Sequence, residues 1–215
     1  MALKAKICGL NHPAAVAAAI AGGASHLGFI FYPPSPRAIL PGIAAALAAN
    51  IPADIVKVGL FVDASDEEIA RTLAEAPLDM LQLHGDETPR RVKDLRRHFG
   101  KPVMKALRIA SAADTAGADE YLPAVDWLLF DAKPPPEMTG ALPGGNAISF
   151  DWSLIAGRGW SKPWMLSGGL NTGNLAAAVR TTGATTVDVS SGVEDSPGRK
   201  NPEKIAAFLK LVASL

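Results

Sequence analysis

VKVGLFVDASDEEIARTLAEAPLDMLQL, residues 56–83, decides the fold. It opens with a short run rich in Val, Leu and Phe, passes through Asp63 and Ala64, and then changes period. Ser65 followed three residues later by Glu68 is a capping box, the signature of a helix start. IARTLAEA continues as a helix, and MLQL (80–83) begins a second buried strand. A strand, a crossover helix and another strand make a parallel βαβ unit.

The same unit recurs along the chain. The strand candidates are AKIC (5–8), LGFIF (27–31), VKVGLFV (56–62), MLQL (80–83), VMKAL (103–107), WLLFD (127–131), WMLS (164–167) and TVDVS (186–190). They are brief, apolar and bounded by Gly, Pro, Asp or Ser, as strands buried on both faces are. Helices are expected at 13–23, after Ser65, at 88–100, at 171–183 and at 201–215. Eight strand–helix alternations with no break in composition predict a single (β/α)8 TIM barrel spanning 1–215. The competing architecture is an open doubly wound sheet, and the GxGxxG that would follow its first strand is missing.

Composition narrows the function. Of 215 residues, 48% are hydrophobic, enough for one large core. The 21 Lys and Arg balance the 21 Asp and Glu, so no overall field draws nucleic acid or an anionic membrane. The helix at 88–100 is locally basic but has no interleaved aromatic residues for base stacking, so it reads as a solvated barrel helix. One cysteine excludes an internal disulfide and a cysteine-cluster metal site. The N-terminus lacks a signal-like apolar run, and no stretch is long enough to span a membrane. These features set the expectation of a cytoplasmic protein with a small-molecule ligand, no nucleic-acid partner and no membrane partner; they do not set an oligomeric state.

In such barrels the active site lies at the C-terminal ends of the strands. There the sequence places Cys8, Arg37 in YPPSPR, Asp63, His84, Asp131, Asp188 and two small-residue loops. SGG (167–169) and SSG (190–192) follow strands seven and eight, the loops that most often hold phosphate in this fold; Gly168, Gly169, Ser191 and Gly192 are the expected amides. Cys8 is either a small core residue or a thiol that acts as a base, for which its ordinary pKa of about 8.5 has to fall. Asp131 ends an apolar strand, where a desolvated carboxyl can serve as an acid. Strands one and six face each other across the mouth, one base and one acid on opposite sides of a substrate-sized gap. Arg37 suits a planar carboxylate. His84 could orient groups, or ligate a metal with Asp63 and Asp131, although it is the only rim histidine.

KICGL (6–10), FYPPSPR (31–37), VGLFVD (58–63), LQLHGDE (81–87), LLFDAK (128–133), GGNAISFDW (144–152), LSGGLNTGN (166–174) and VDVSSGVEDSPGRKN (187–201) together resemble the phosphoribosylanthranilate isomerase family of tryptophan biosynthesis, in order and over essentially the whole chain. The resemblance implies an Amadori rearrangement of N-(5-phosphoribosyl)anthranilate to 1-(2-carboxyphenylamino)-1-deoxyribulose 5-phosphate, without metal or cofactor. It implies Cys8 as general base, Asp131 as general acid, Arg37 on the anthranilate carboxylate, and Gly168, Gly169, Ser191 and Gly192 on the phosphate. His84 and Asp188 become supporting rim residues. Phe31, Tyr32 and Phe150 are placed to give apolar contact to an aromatic ring. Two departures stand out. Where the family usually shows Gly-Gly-Thr/Ser-Gly, this chain has Gly144-Gly145-Asn146-Ala147, which predicts a stiffer loop six. The loop after strand one reads Asn11-His12-Pro13 where the family has Thr or Lys and acidic residues. Rival readings are another phosphosugar isomerase or epimerase on the same barrel, and a non-catalytic phosphoribosyl binder.

Overall fold

A computed structural model describes residues 2–215. Eight parallel strands close into a barrel in chain order: β1 (Lys4–Cys8), β2 (His26–Ile30), β3 (Val56–Phe61), β4 (Met80–Leu83), β5 (Val103–Ile109), β6 (Trp127–Ala132), β7 (Trp164–Leu166) and β8 (Thr186–Val189). The closing pair is parallel, with Lys6 opposite Asp188 and Ile7 opposite Val189. All eight expected strands form, each within two residues of its expected ends.

Alternation along each strand separates two cores. Outward positions such as Ile7, Leu27, Phe29, Leu81, Phe130 and Val187 are buried under the helices. Inward positions Val58, Met80, Met104, Ala106, Leu129 and Met165 fill the barrel. A smaller apolar group of Cys8, Ile30 and Leu60 lies apart from both.

The outer layer contains α1 (Pro13–Ala21), α2 (Pro41–Ala48), α3 (Asp66–Glu75), α4 (Pro89–Phe99), α5 (Ala112–Ala116), α6 (Leu175–Thr182) and α7 (Pro202–Ala213). The capping box expected at α3 is present: Glu68 N donates to Ser65 Oγ at 3.2 Å, and Ser65 N donates to Glu68 Oε2 at 2.8 Å. Thr88 caps α4, and Gly100 ends it in the left-handed conformation at φ 62°. A small hairpin, β9 (Glu194–Ser196) with β10 (Arg199–Lys200), follows β8.

One expectation fails. The alternation predicts a helix after every strand, but the long connection between β6 and β7 holds only a 3-10 turn at Trp152–Leu154. Pro134-Pro135-Pro136, Pro143 and Gly144-Gly145 break the helical pattern there. Aromatic side chains take over the covering role: Trp160 packs on Phe130 with ring centroids 4.8 Å apart, and Ile155 is buried. The connection is thereby free to run over the mouth of the barrel.

His26 enters the barrel interior opposite Lys6, edge-on to Trp127, with Ser25 Oγ 2.9 Å from Nδ1. Burial, then the neighbouring Lys6 charge, lower its pKa to about 4. An unfolded histidine takes up its proton near pH 6.5, while folded His26 refuses one until about pH 4, so stability falls as pH drops through that window. Urea titrations at pH 7 and pH 5 should show a loss of about 2 kcal/mol assignable to this residue. His26→Gln, compared at the same two pH values, should lack that component.

Candidate active site

Strand ends and the following loops bring Cys8, Arg37, His84, Asp131 and Asp188 to one cavity at the C-terminal mouth of the barrel. Gly168, Gly169 and Ser191 line it as well. Gly192 does not; its bare Cα packs against the Leu170 carbonyl, which a Cβ would approach to 2.0 Å. Any side chain there would force loops seven and eight apart. Asp63 also stays outside the cavity, its Oδ1 accepting from the Asp86 amide at 2.7 Å. It therefore does not join His84 and Asp131.

Cys8 ends β1 and is 3% exposed. Burial pushes its thiol above the ordinary range; the Lys6 ammonium pulls the other way, and the Asp188 carboxylate adds to the rise. A base calls for a lowered thiol, and here it is raised instead, because desolvation of the thiolate outweighs the nearby cation.

Lys6, two residues earlier on the same face, is 0% exposed and donates from Nζ to Asp188 Oδ1 at 2.8 Å. Burial alone would lower its pKa, but Asp188 and Cys8 more than reverse this and keep it a cation. Ser167 Oγ donates to the other Asp188 oxygen at 3.1 Å.

Across the cavity, Asp131 Oδ1 accepts from the Ala132 amide at 2.9 Å. Its Oδ2 lies 3.2 Å from His84 Nε2, but out of line for a hydrogen bond. His84 Nδ1 is 3.1 Å from Gln82 Nε2, so a buried amide fixes the ring below the carboxylate. Gly144 covers this pair; a Cβ on it would lie 2.6 Å from Asp131 Oδ2 and 2.8 Å from His84 Nε2. Ala147, in the same segment, has φ 58°, the left-handed conformation that glycine adopts with least strain.

Arg37 is 3% exposed and bidentate on Glu194, Nε to Oε1 and Nη2 to Oε2, both at 2.8 Å. Nη2 also donates to the Gly145 carbonyl at 3.1 Å, and Nη1 faces the same loop. Burial would raise Glu194, but Arg37 and Lys200 together hold its carboxyl below the usual range. Lys200 Nζ donates to Glu194 Oε1 at 2.7 Å and to the Ser190 carbonyl at 2.9 Å, tying the arginine's counter-ion to loop eight. On that side, the amides of Gly168, Gly169, Ser191 and Gly192 have no hydrogen-bond acceptor among the described residues. Gly168 and Gly169 have φ of 88° and 60°, which aims successive N–H groups together as a nest for an anion.

The chemistry available is thus a thiol and a carboxyl on opposite walls, an arginine for a carboxylate, and an amide nest for a phosphate. Sequence reasoning missed Lys6, Gln82, Glu194 and Lys200. Lys6 alternates with apolar residues as a solvent-facing strand residue does, yet in a closed barrel that face is the interior. Glu194 sits in VDVSSGVE, where nothing local shows which cations it meets.

Residues 5–211 match the family described as N-(5'-phosphoribosyl)anthranilate (PRA) isomerase. N-(5'-phosphoribosyl)anthranilate isomerase of Rhodospirillum centenum is 56% identical over 215 residues, covering 100% of both chains. The structure of phosphoribosyl anthranilate isomerase from Thermotoga maritima superposes with a TM-score of 0.88 at 33% identity, over 99% of this chain and 100% of that one. A structure of phosphoribosyl anthranilate isomerase in complex with reduced 1-(o-carboxyphenylamino)-1-deoxyribulose 5-phosphate gives a TM-score of 0.85 at 31% identity, with the same coverage.

Glu194 neutralises two buried cations, and its removal leaves both unpaired. Glu194→Ala should lower the unfolding free energy by about 3 kcal/mol or more, read from urea midpoints. A loss under 1 kcal/mol would show that Arg37 and Lys200 find water or other partners.

Proposed function

The chain belongs to the N-(5'-phosphoribosyl)anthranilate isomerase family, and from that premise we propose how its residues divide the work. It is an aldose–ketose isomerase of tryptophan biosynthesis, converting N-(5-phosphoribosyl)anthranilate to 1-(2-carboxyphenylamino)-1-deoxyribulose 5-phosphate. In our reading residues 1–215 act as one catalytic domain on this small phosphoribosyl substrate, with no added cofactor. The enzyme works in the cytoplasm, where a lone thiol stays reduced.

Asp131 is the general acid. It gives its proton to the ribose ring oxygen while the anilino nitrogen's lone pair forms C1′=N and the C1′–O bond breaks. Cys8, as thiolate, is the general base. It takes the proton from C2′; that C–H pair becomes C1′=C2′, and the C=N pair returns to nitrogen. The resulting enolamine then loses its hydroxyl proton and gains one at C1′, giving the aminoketose. No atom enters or leaves the sum of these steps.

The observation that carries this assignment is that Cys8, the last residue of β1, and Asp131, the penultimate residue of β6, lie on opposing walls of one cavity. Arg37 would bind the anthranilate carboxylate through the edge that Glu194 leaves free. The amides of Gly168, Gly169 and Ser191 would hold the phosphate, with Gly192 bringing loop eight close enough for its own amide to join them. His84 would orient Asp131, and Asp188 would face the sugar beside Cys8. A second isomerase activity on another phosphosugar has no specific observation in its favour.

The test uses phosphoribosylanthranilate made in situ, purified enzyme and EDTA, following the loss of substrate fluorescence. Wild type should turn over, and EDTA should not slow it. Cys8→Ser and Asp131→Asn, checked for folding, should each lower the rate by roughly 10²–10⁴-fold. A fully active Cys8→Ser enzyme would remove Cys8 as the base. An inactive wild type would favour the non-catalytic binder.

A further inference from the structure

We propose that Lys6 is a positioning residue for the reaction: its ammonium, held by Asp188, is the fixed positive charge against which Cys8 ionises. The proposal rests on the reading of Cys8 as the base and adds a residue that touches no substrate.

Three geometric facts carry it. Lys6 and Cys8 occupy successive inward positions on β1, so their side chains rise on the same side of the strand. Gly28 lies opposite Cys8 in register and has no side chain. A Cβ there would be 3.0 Å from Cys8 Sγ and 3.2 Å from Lys6 Cε, so both side chains lean into the space that glycine leaves. Finally, Lys6 has three N–H bonds and gives one of them to Asp188 Oδ1 at 2.8 Å. Among the described residues Lys6 Nζ has no hydrogen-bond acceptor besides Asp188, and Cys8 is the other group whose charge bears on it.

A lysine 0% exposed inside a barrel is costly unless it is paired, and Asp188 supplies that pairing. Pairing alone does not explain why the cation stands next to the thiol. With Cys8 protonated, Lys6 and Asp188 sum to zero charge. Ionisation adds one negative charge, attracted by Lys6 and repelled by Asp188, while burial opposes it. Lys6 is therefore the charge that most favours the thiolate. The other charged or titratable groups around the sulfur are Lys200 from β10, His26 from β2, and Arg37, His84 and Asp131 around the cavity.

The single cysteine makes the test clean. The ultraviolet absorbance of the thiolate, read against a Cys8→Ser blank, titrates Cys8 in the intact enzyme without any substrate. Lys6→Met should raise the midpoint by about one pH unit or more, a tenfold smaller thiolate fraction below it. Lys6→Arg, which keeps the charge, should restore most of the shift. In turnover, the acid limb of the kcat/KM profile should move by the same amount in Lys6→Met, with KM little changed.

A thiolate midpoint in folded Lys6→Met that matches wild type would overturn the proposal, whatever its activity. If Lys6→Met fails to fold, Lys6→Gln keeps a hydrogen bond to Asp188 without the charge and is held to the same outcome. Failure of the base assignment looks different: Cys8→Ser would stay active while the midpoint still answered to Lys6.

Discussion

The constraint behind the rest of the structure is that a closed barrel has no wet face. Every strand of this barrel buries both of its sides, so a charge placed on an inward position has to find its counter-charge inside. Lys6 finds Asp188 across the β1–β8 seam, where the two are opposite in register. Ser167 then satisfies the second Asp188 oxygen. This pair closes the barrel at the level just below Cys8. The apolar layer of Val58, Met80, Met104, Leu129 and Met165 fills the interior alongside it. Breaking either partner strands the other in low dielectric, which makes the pair a demanding element. It also sets the field in which the thiol above it ionises.

A second buried network organises the other side of the mouth. Arg37, Glu194 and Lys200 join the loop after β2 to the hairpin after β8, and Lys200 reaches on to Ser190. The arginine proposed for the carboxylate and the loop proposed for the phosphate are therefore fixed by one shared carboxylate. The spacing between Arg37 and loop eight is thus built into the scaffold. Over the mouth runs the connection after β6, with Gly144 on Asp131 and His84 and Gly145 on Arg37 of the second network. Where the segment meets the charged groups it has no side chains, so the backbone comes close.

Much of this was legible in the sequence. Short apolar strands alternating with capped helices gave the barrel, because periodicity reports burial directly. Cys8, Arg37, Asp131 and the two glycine loops were legible as residues at strand ends, and the family resemblance supplied their roles. What escaped is equally physical. Lys6 carried no local sign of its partner, since Asp188 lies across the closing seam of the barrel, 182 residues away. Glu194 owes its position to Arg37, which lies more than a hundred residues earlier in the chain, and no local pattern encodes that pairing. The missing eighth helix was signalled by Pro134-Pro135-Pro136 and the glycines that follow. Its replacement by Trp160 packing on Phe130 was not.

The most direct test of the central claim, that Cys8 and Asp131 act from opposite sides of one bound sugar, is a crystal structure of this enzyme with a reduced product analogue. Cys8 Sγ should lie about 3–3.5 Å from C2′, close enough for proton transfer, with the Asp131 carboxyl on the ring-oxygen side. The phosphate should sit on the amides of Gly168, Gly169, Ser191 and Gly192. A sugar bound with C2′ turned away from the sulfur, or with both groups on one face, would contradict it.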